Sequence, residues 1–153
     1  MPNMLQQLAD QQECISLALR YASGVDDQDI PRLMAVFTAD ARMHAEMFDV
    51  RGPAAIGALV ENIWSHVSAL QHAVSNFEVT IDGDEARMRS TVISIHIGRD
   101  SPDDLFAAGA VYFDRLVRSQ DGWRIAERFT RVDWKSGDPS ILLTPTDAGW
   151  TVS

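Results

Sequence analysis

The chain has few cysteines, few basic residues and no long apolar run, and each shortage excludes a class of protein. Its single cysteine, Cys14, excludes an internal disulfide and a cysteine-ligated zinc cluster. No apolar stretch approaches the ~18–20 residues of a membrane-spanning helix. Among 153 residues, 13 basic side chains stand against 22 acidic ones, and the formal net charge is -9. With no basic stripe to bind phosphates, we expect neither nucleic acid nor a membrane as a partner.

Motifs for phosphates and metals are also missing. The RGPAAIG turn opens a helix but lacks the G-x-G-x-x-G spacing of a dinucleotide site. After folding, Asp26, His72 and His96 could imitate a two-histidine, one-carboxylate metal site. A dyad of Asp26 with His72 explains the same residues without a metal, so we expect no metal and no cofactor. The N-terminus lacks a basic region followed by an apolar stretch, so we expect a cytoplasmic protein.

Helical patterns occupy the first part of the chain. Apolar side chains recur at helical spacing over residues 4–24. A second short helix follows, with Asp29 as its cap. A strand near 41–47 then leads through a Gly-Pro turn to a third helix over residues 53–67.

From residue 70 the apolar period changes from helical to two, which predicts strands. Four segments follow one another: HAVSNFEVTIDG, EARMRSTVISIHIG, LFAAGAVYFDRLVR and GWRIAERFTRVDW. Helices followed by an antiparallel meander indicate the α+β class. We expect three N-terminal helices on a strongly curved, mainly antiparallel sheet, forming a cone-shaped α+β barrel. The interior of such a cone is the default ligand site.

Residues 1–135 are predicted to form this one domain, and residues 136–153 an irregular tail. The tail would cap the pocket or contact a neighbouring subunit. Strand alternation gives the outer sheet face several apolar side chains: Phe77, Val79, Ile81, Ile93 and Ile95. An apolar face of this kind needs a cover, so we expect a homo-oligomer, either a dimer or a trimer.

Three side chains far apart in the sequence suit acid–base chemistry. Asp26 lies in RYASGVDDQD just after the first helix, whereas His72 and His96 lie on predicted strands. A carboxylate that orients an imidazole makes it a general base, and a second imidazole suits the acid partner. The alternative is that both histidines are hydrogen-bonded structural residues and that the aspartate is a cap.

Strand alternation also assigns faces to the candidate site residues. His72 and Asn76 share one face, which we expect to line the pocket. His96 shares its face with small and polar residues that leave room for a ligand. On the last strand Arg128 lies among small residues, opposite Ile125, where it could stabilise a leaving anion or an oxyanion.

Four segments, in this order and spacing, resemble the SnoaL-like branch of the nuclear transport factor 2-like superfamily. They are LADQQECISLALRYASGVDDQDIPRLMAVFTADARM, RGPAAIGAL, HAVSNFEVTIDGDEARMRS and YFDRLVRSQDGWRIAERFTRVDW, which together span about residues 6–135. The superfamily includes scytalone dehydratase, bile acid dehydratase, lindane dehydrochlorinase, ketosteroid isomerase, polyketide cyclases and binding-only members.

The resemblance to the dehydratases and the dehydrochlorinase implies roles for individual residues. Asp26 and His72 match the Asp-His pair of that group, and Tyr21 matches a tyrosine five residues before the aspartate. Arg128 matches an arginine on the last strand, and His96 resembles a second active-site histidine. We further expect a set of pocket-lining residues: His44, Trp64, Asn76, Val92 and Tyr112.

The expected activity is that of a cofactor-free lyase or isomerase of the dehydratase or dehydrohalogenase type. His72 would remove a proton from a small hydrophobic cyclic substrate, while Asp26 orients it. Arg128, Tyr21 or His96 would stabilise the leaving group or an enolate. Two alternatives stay open: a polyketide cyclase, and a non-catalytic module for small-molecule binding or subunit assembly.

Overall fold

Three helices precede a six-stranded sheet in the computed structural model, which describes residues 3–146 and 149–152. The helices are α1 (Met4–Asp26), α2 (Ile30–Met34) and α3 (Pro53–His66). The strands are β1 (Phe37–Ala45), β2 (Phe48–Arg51), β3 (Val67–Asp82), β4 (Glu85–Gly98), β5 (Leu105–Ser119) and β6 (Gly122–Gly137).

The sheet has the order β2-β1-β6-β5-β4-β3. Every neighbouring pair is antiparallel except β1 and β6, which run parallel. The predicted α+β class, with three helices on a curved and mainly antiparallel sheet, is confirmed. The sheet stays open, because β2 and β3 are its two edges and do not pair with each other.

Local signals fix the helix boundaries. Asn3 begins α1 by accepting a hydrogen bond from a first-turn N–H, and Asp29 does the same for α2. α1 continues to Asp26, two residues beyond its predicted end, which places the Asp26 carboxylate in the last helical turn. β1 begins at Phe37, ahead of the strand predicted near 41–47. None of the described helices combines the length and the apolar character needed to cross a membrane.

The main core lies between the helices and the inner face of the sheet. Its fully buried side chains come from all three helices and from β5 and β6: Leu17, Leu33, Ile56, Leu116, Trp123 and Ile125. Burying one large apolar side chain contributes ~1.5–3 kcal/mol, so this layer holds the helices on the sheet. The indole N–H of Trp64 also donates to the carbonyl of Val25 at 2.9 Å, which ties α3 to α1.

A β-bulge in β3 reverses the faces that we predicted beyond residue 75. The pairing with β4 shifts after Ser75, and Asn76 has a φ of 55°. One extra residue turns every later side chain to the opposite face of the sheet. Asn76 is therefore exposed instead of lining the pocket. Three residues predicted on the outer face instead pack half-buried against the core: Phe77, Val79 and Ile81.

The outer sheet face thus carries a different set of apolar residues from the one predicted. Ile93 and Ile95 of β4 do lie there, 44% and 36% exposed, together with Phe129 and Trp134 of β6. Leu105 of β5 lies on the same face and is 40% exposed. The expectation of a dimer or trimer now depends on these five side chains, and it stays a prediction.

β6 has two further irregularities in its pairing with β5, one at Ala126 and one at Asp133. Because the first reverses the alternation, Ile125 and Arg128 are both buried, although we predicted them on opposite faces. The second reverses it again and brings Lys135 to the inner side, where it lines a cavity. Bulges, rather than simple alternation, therefore decide which β6 side chains reach the interior.

The segment after the sheet is more regular than predicted. β6 continues past residue 135 to Gly137, and a short 3-10 turn (Pro139–Ile141) follows. A hairpin of β7 (Leu143–Thr146) and β8 (Gly149–Val152) comes next, so the prediction of an irregular tail is wrong for this part. Residues 1–2, 147–148 and 153 of the predicted domain and tail lie outside the described residues. The single domain over 1–135 stays a prediction.

The left-handed backbone at Asn76 gives a test of the bulge. Asn76→Val places a β-branched residue at positive φ and should cost about 1–2 kcal/mol of unfolding free energy. Asn76→Gly removes the strain and should stay within about 1 kcal/mol of the parent protein. Urea denaturation measures both, and a valine variant as stable as the glycine variant would contradict the assigned bulge.

Candidate active site

Asp26 holds His72 through two hydrogen bonds. One carboxylate oxygen lies 2.7 Å from ring Nδ1, and the other accepts the backbone N–H of His72 at 2.8 Å. A carboxylate only accepts, so Nδ1 carries a hydrogen, and in the neutral ring Nε2 is the nitrogen with the lone pair. In this tautomer the imidazole is ready to act as a base. The two side chains are 20% and 10% exposed, so little water competes with the pair.

Asp26 occupies an electrostatically unfavourable position. The C-terminus of a helix is the negative end of its dipole, and a carboxylate there costs ~0.3–1 kcal/mol. The last turn of α1 contains no basic residue that would offset this cost. The carboxylate is compensated instead by the two hydrogen bonds from His72.

His96 lies beside His72 in a different environment. The two ring centroids are 6.1 Å apart and the planes are nearly perpendicular. Burial, together with the neighbouring His72, lowers the pKa of His96 from 6.5 to about 4. Its Nδ1 lies 3.3 Å from the carbonyl oxygen of Phe106, which can only accept, so Nδ1 again carries the hydrogen. A neutral His96 thus offers an acceptor at Nε2 rather than the proton that an acid partner needs.

Arg128 forms a fully buried ion pair with Asp114. Two parallel hydrogen bonds of 2.8 Å join them, and neither side chain has exposed surface. The guanidinium carbon lies 4.3 Å from the Tyr21 ring centroid and 4.0 Å from that of Tyr112. Burial opposes its charge, yet Asp114 raises the pKa of Arg128 overall, so it stays a cation. Its Nη1 has no hydrogen-bond partner among the described residues.

The two tyrosines stay protonated. Burial raises the pKa of Tyr21 and of Tyr112, although the Arg128 cation partly opposes this for both. The hydroxyl of Tyr21 donates only weakly, to the sulfur of Met43 at 3.6 Å. A buried phenol with so weak a partner is available as a donor to an oxygen in the cavity.

A cavity of two lobes, each about 120 Å³, lies between the helices and the sheet. The inner lobe is defined by Tyr21, Met43, Leu70 and His72, and the outer lobe by Val92, Phe106, Lys135, Leu142, Leu143 and Val152. Residues that line both join the lobes: Phe48, Ile63, His96, Tyr112 and Thr130. The dyad therefore opens on the inner lobe, and the C-terminal segment lines the outer one. Within the described ranges, no three His, Cys, Asp or Glu side chains converge as metal ligands.

The structure brings together most, but not all, of the predicted site residues. Tyr21, His72, His96, Val92 and Tyr112 line the cavity. Asp26 lies behind His72, and Arg128 lies behind the two tyrosine rings.

Three predicted pocket residues lie elsewhere. His44 is on the outer face, where Nε2 lies 3.2 Å from the carboxylate of Glu127 and the ring packs on Phe129. Trp64 is part of the core, and Asn76 is exposed at the bulge. His44 and Trp64 could not be excluded from sequence, because their strand or helix face was the only guide.

Leu142 and Leu143 of the cavity lining belong to the tail that we expected to cap the pocket or to contact a neighbouring subunit. Sequence reasoning missed Asp114, Thr130 and Lys135. Only Asp114 gave a signal: it is a lone carboxylate inside the apolar run VYFDRLV. Such a residue, in phase with Tyr112, must be buried, and a buried carboxylate needs a cation.

The buried ion pair gives a stability test. Asp114→Leu leaves the Arg128 charge without its partner and should lower the unfolding free energy by about 3–5 kcal/mol. Asp114→Leu combined with Arg128→Met removes both charges and should recover at least half of that loss. Chemical denaturation of the parent protein, the two single variants and the double variant measures this double-mutant cycle. Losses that simply add in the double variant would contradict the buried ion pair.

The lowered pKa of His96 predicts a pH dependence of stability. The unfolded chain binds a proton near pH 6.5 and the folded one only near pH 4. The stability that the folded protein gains from a neutral His96 is therefore fully present above pH 6.5. It is lost as the pH falls toward 4, by at most ~3 kcal/mol of unfolding free energy. His96→Gln should lose less stability between pH 7.5 and 4.5 in urea denaturation. Parallel losses in the two proteins would contradict a neutral, buried His96.

Comparison with known proteins identifies the family of this chain. The profile of the SnoaL-like domain matches residues 6–129. An uncharacterized protein of Mycobacterium tuberculosis is 29% identical over 125 residues, which are 80% of this chain and 84% of that protein.

Two solved structures share the fold. One is from Novosphingobium aromaticivorans and carries the provisional name aromatic ring hydroxylase. It is 28% identical to this chain with a TM-score of 0.79, and the match covers 88% of this chain and 96% of that one. The other is a hexachlorocyclohexane dehydrochlorinase from Novosphingobium barchaimii, with 20% identity, a TM-score of 0.81 and coverage of 94% and 100%. The profile match covers most of the chain, and the chain belongs to the SnoaL-like domain family, with the fold of the nuclear transport factor 2-like superfamily.

Proposed function

We propose that this protein is a cofactor-free lyase of the dehydratase type, in which His72 is the general base. The observation that carries the proposal is the 2.7 Å contact between Asp26 and Nδ1 of His72, on a ring that also lines the cavity. The position of the ring at the cavity is what favours a base over a purely structural histidine. Because Asp26 holds Nδ1, the other ring nitrogen, Nε2, is left without a partner among the described residues and can act as the base.

In the proposed step, Nε2 takes a proton from a substrate carbon that neighbours a carbon bearing a hydroxyl. The C–H electron pair becomes the new C=C bond, and the C–O bond breaks toward oxygen. The imidazolium returns its proton to the leaving oxygen, which departs as water. Asp26 stabilises the transient imidazolium, because its carboxylate accepts the Nδ1 hydrogen bond throughout.

The tyrosine hydroxyls supply the donors for the developing negative charge. Tyr21 and Tyr112 both line the inner lobe and stay protonated. Hydrogen-bond donors held in place before the reaction stabilise a departing or enolate oxygen without reorganisation. Arg128 acts through the tyrosines: its guanidinium packs on both rings and its charge is already neutralised by Asp114. It is a positioning residue in this scheme, not a contact to the substrate.

The substrate is proposed to be a small hydrophobic ring that carries a hydroxyl group. Most of the cavity is lined by aliphatic and aromatic side chains. His96 offers an acceptor at Nε2 between the two lobes, and a substrate hydroxyl is the natural donor to it. A halide cannot donate to this nitrogen, which is why we favour a dehydratase over a dehydrohalogenase.

The test is a panel of cyclic alcohols and the matching halides, assayed for elimination by absorbance of the new double bond. His72→Ala should reduce turnover by about 10²–10⁴-fold, the usual contribution of a general base. Asp26→Asn should also slow turnover, because an amide can present a donor to Nδ1 and favour the wrong tautomer. His66→Ala, a histidine at the end of α3 and away from the cavity, should leave turnover unchanged.

Two outcomes would overturn the proposal. Near-parental turnover in His72→Ala would exclude the dyad. Binding of the panel compounds with no turnover by the parent protein would instead identify a binding module.

A further inference from the structure

Lys135 is the only lysine of the chain, and its side chain lines the outer lobe. The bulge at Asp133 is responsible, because it brings Lys135, and not Trp134, to the inner side of β6. Trp134 is 46% exposed on the opposite face. A cation thus lies at the edge of a lobe whose other walls are mostly apolar.

The charge of Lys135 is not used within the described part of the protein. No carboxylate among the described residues forms an ion pair with it. The two nearest acidic residues in sequence have other partners: Asp133 pairs with Arg131, and Asp138 accepts from Ser140. Lys135 is exposed overall although it lines the lobe, so its ammonium is available at the rim.

We propose that Lys135 binds an anionic group, a carboxylate or a sulfonate, on a ligand whose apolar ring fills the outer lobe. The inference deepens the proposed function, since it makes the substrate of the same cavity a hydrophobic ring acid. The ring then lies between two polar ends: the dyad in the inner lobe and Lys135 at the outer rim. The net charge of -9 repels anions from the protein as a whole, so this local cation is what would admit one.

The alternative is that Lys135 only covers apolar surface with its stem. The two differ in what they predict for matched ligands. A covering lysine binds a neutral and an anionic ring equally, whereas a recognition residue discriminates between them. An exposed ion pair of good geometry is worth up to about 1 kcal/mol, or roughly fivefold in affinity.

The experiment compares 2-naphthoate with 2-naphthamide, which share the ring and differ in charge, by titration calorimetry at low salt. The parent protein should bind 2-naphthoate roughly fivefold more tightly. Lys135→Met keeps the length of the stem and should reduce the ratio to about one, while Lys135→Arg should retain it. Arg87→Gln makes the same change in net charge at an exposed position on the outer face and should leave the ratio as in the parent protein.

The results separate this proposal from the proposed function. His72→Ala should keep the preference for 2-naphthoate, because the assay needs no turnover. Equal affinities in the parent protein, a preference that survives in Lys135→Met, or no binding of either probe would overturn the role of Lys135. These binding results do not bear on elimination by the dyad, which the panel of cyclic alcohols tests separately.

Discussion

The two hydrogen bonds between Asp26 and His72 join the helical layer to the edge of the sheet, and the geometry of the site depends on them. The last turn of α1 meets β3 where one carboxylate accepts both the ring and the backbone of the same residue. The ring cannot rotate without losing a charge-assisted hydrogen bond in a half-buried place. His72 is therefore fixed in both tautomer and direction before any ligand enters.

The second buried charge pair has the opposite effect on the cavity. Arg128 and Asp114 pair through two hydrogen bonds behind the rings of Tyr21 and Tyr112, and Nη1 of Arg128 is left without a partner among the described residues. Their charges are thus unavailable to a ligand, and the inner lobe presents neutral donors and acceptors. The charge that the proposed reaction creates is the imidazolium of His72, and Asp26 is the carboxylate already in contact with it. This matches the idea that catalytic groups are arranged for the charge that develops in the transition state.

The sequence predicted the three helices, the four successive strands after residue 70 and the pairing of Asp26 with His72, because these depend on local periodicity and on matched segments. It did not predict β2 or the parallel pairing of β1 with β6. It failed where one residue changes a face. The bulge at Asn76 removed that residue from the pocket and returned Phe77 to the core. The bulge at Ala126 lets Ile125 and Arg128 both be buried, and the bulge at Asp133 turns Lys135 toward the cavity. A β-bulge is set by pairing with a neighbouring strand, so simple alternation along one strand cannot reveal it.

The two neighbouring histidines show how environment, rather than residue type, assigns roles in this site. Their rings lie 6.1 Å apart, yet Nδ1 of one donates to a carboxylate and Nδ1 of the other to a carbonyl. Only the carboxylate can stabilise an imidazolium by charge, so a proton taken from a substrate belongs on His72. His96 is buried and its pKa is lowered to about 4, so it stays neutral beside that imidazolium. A neutral acceptor next to a base can hold a substrate hydroxyl without competing for the proton, so His96 is suited to binding the substrate and His72 to transferring the proton.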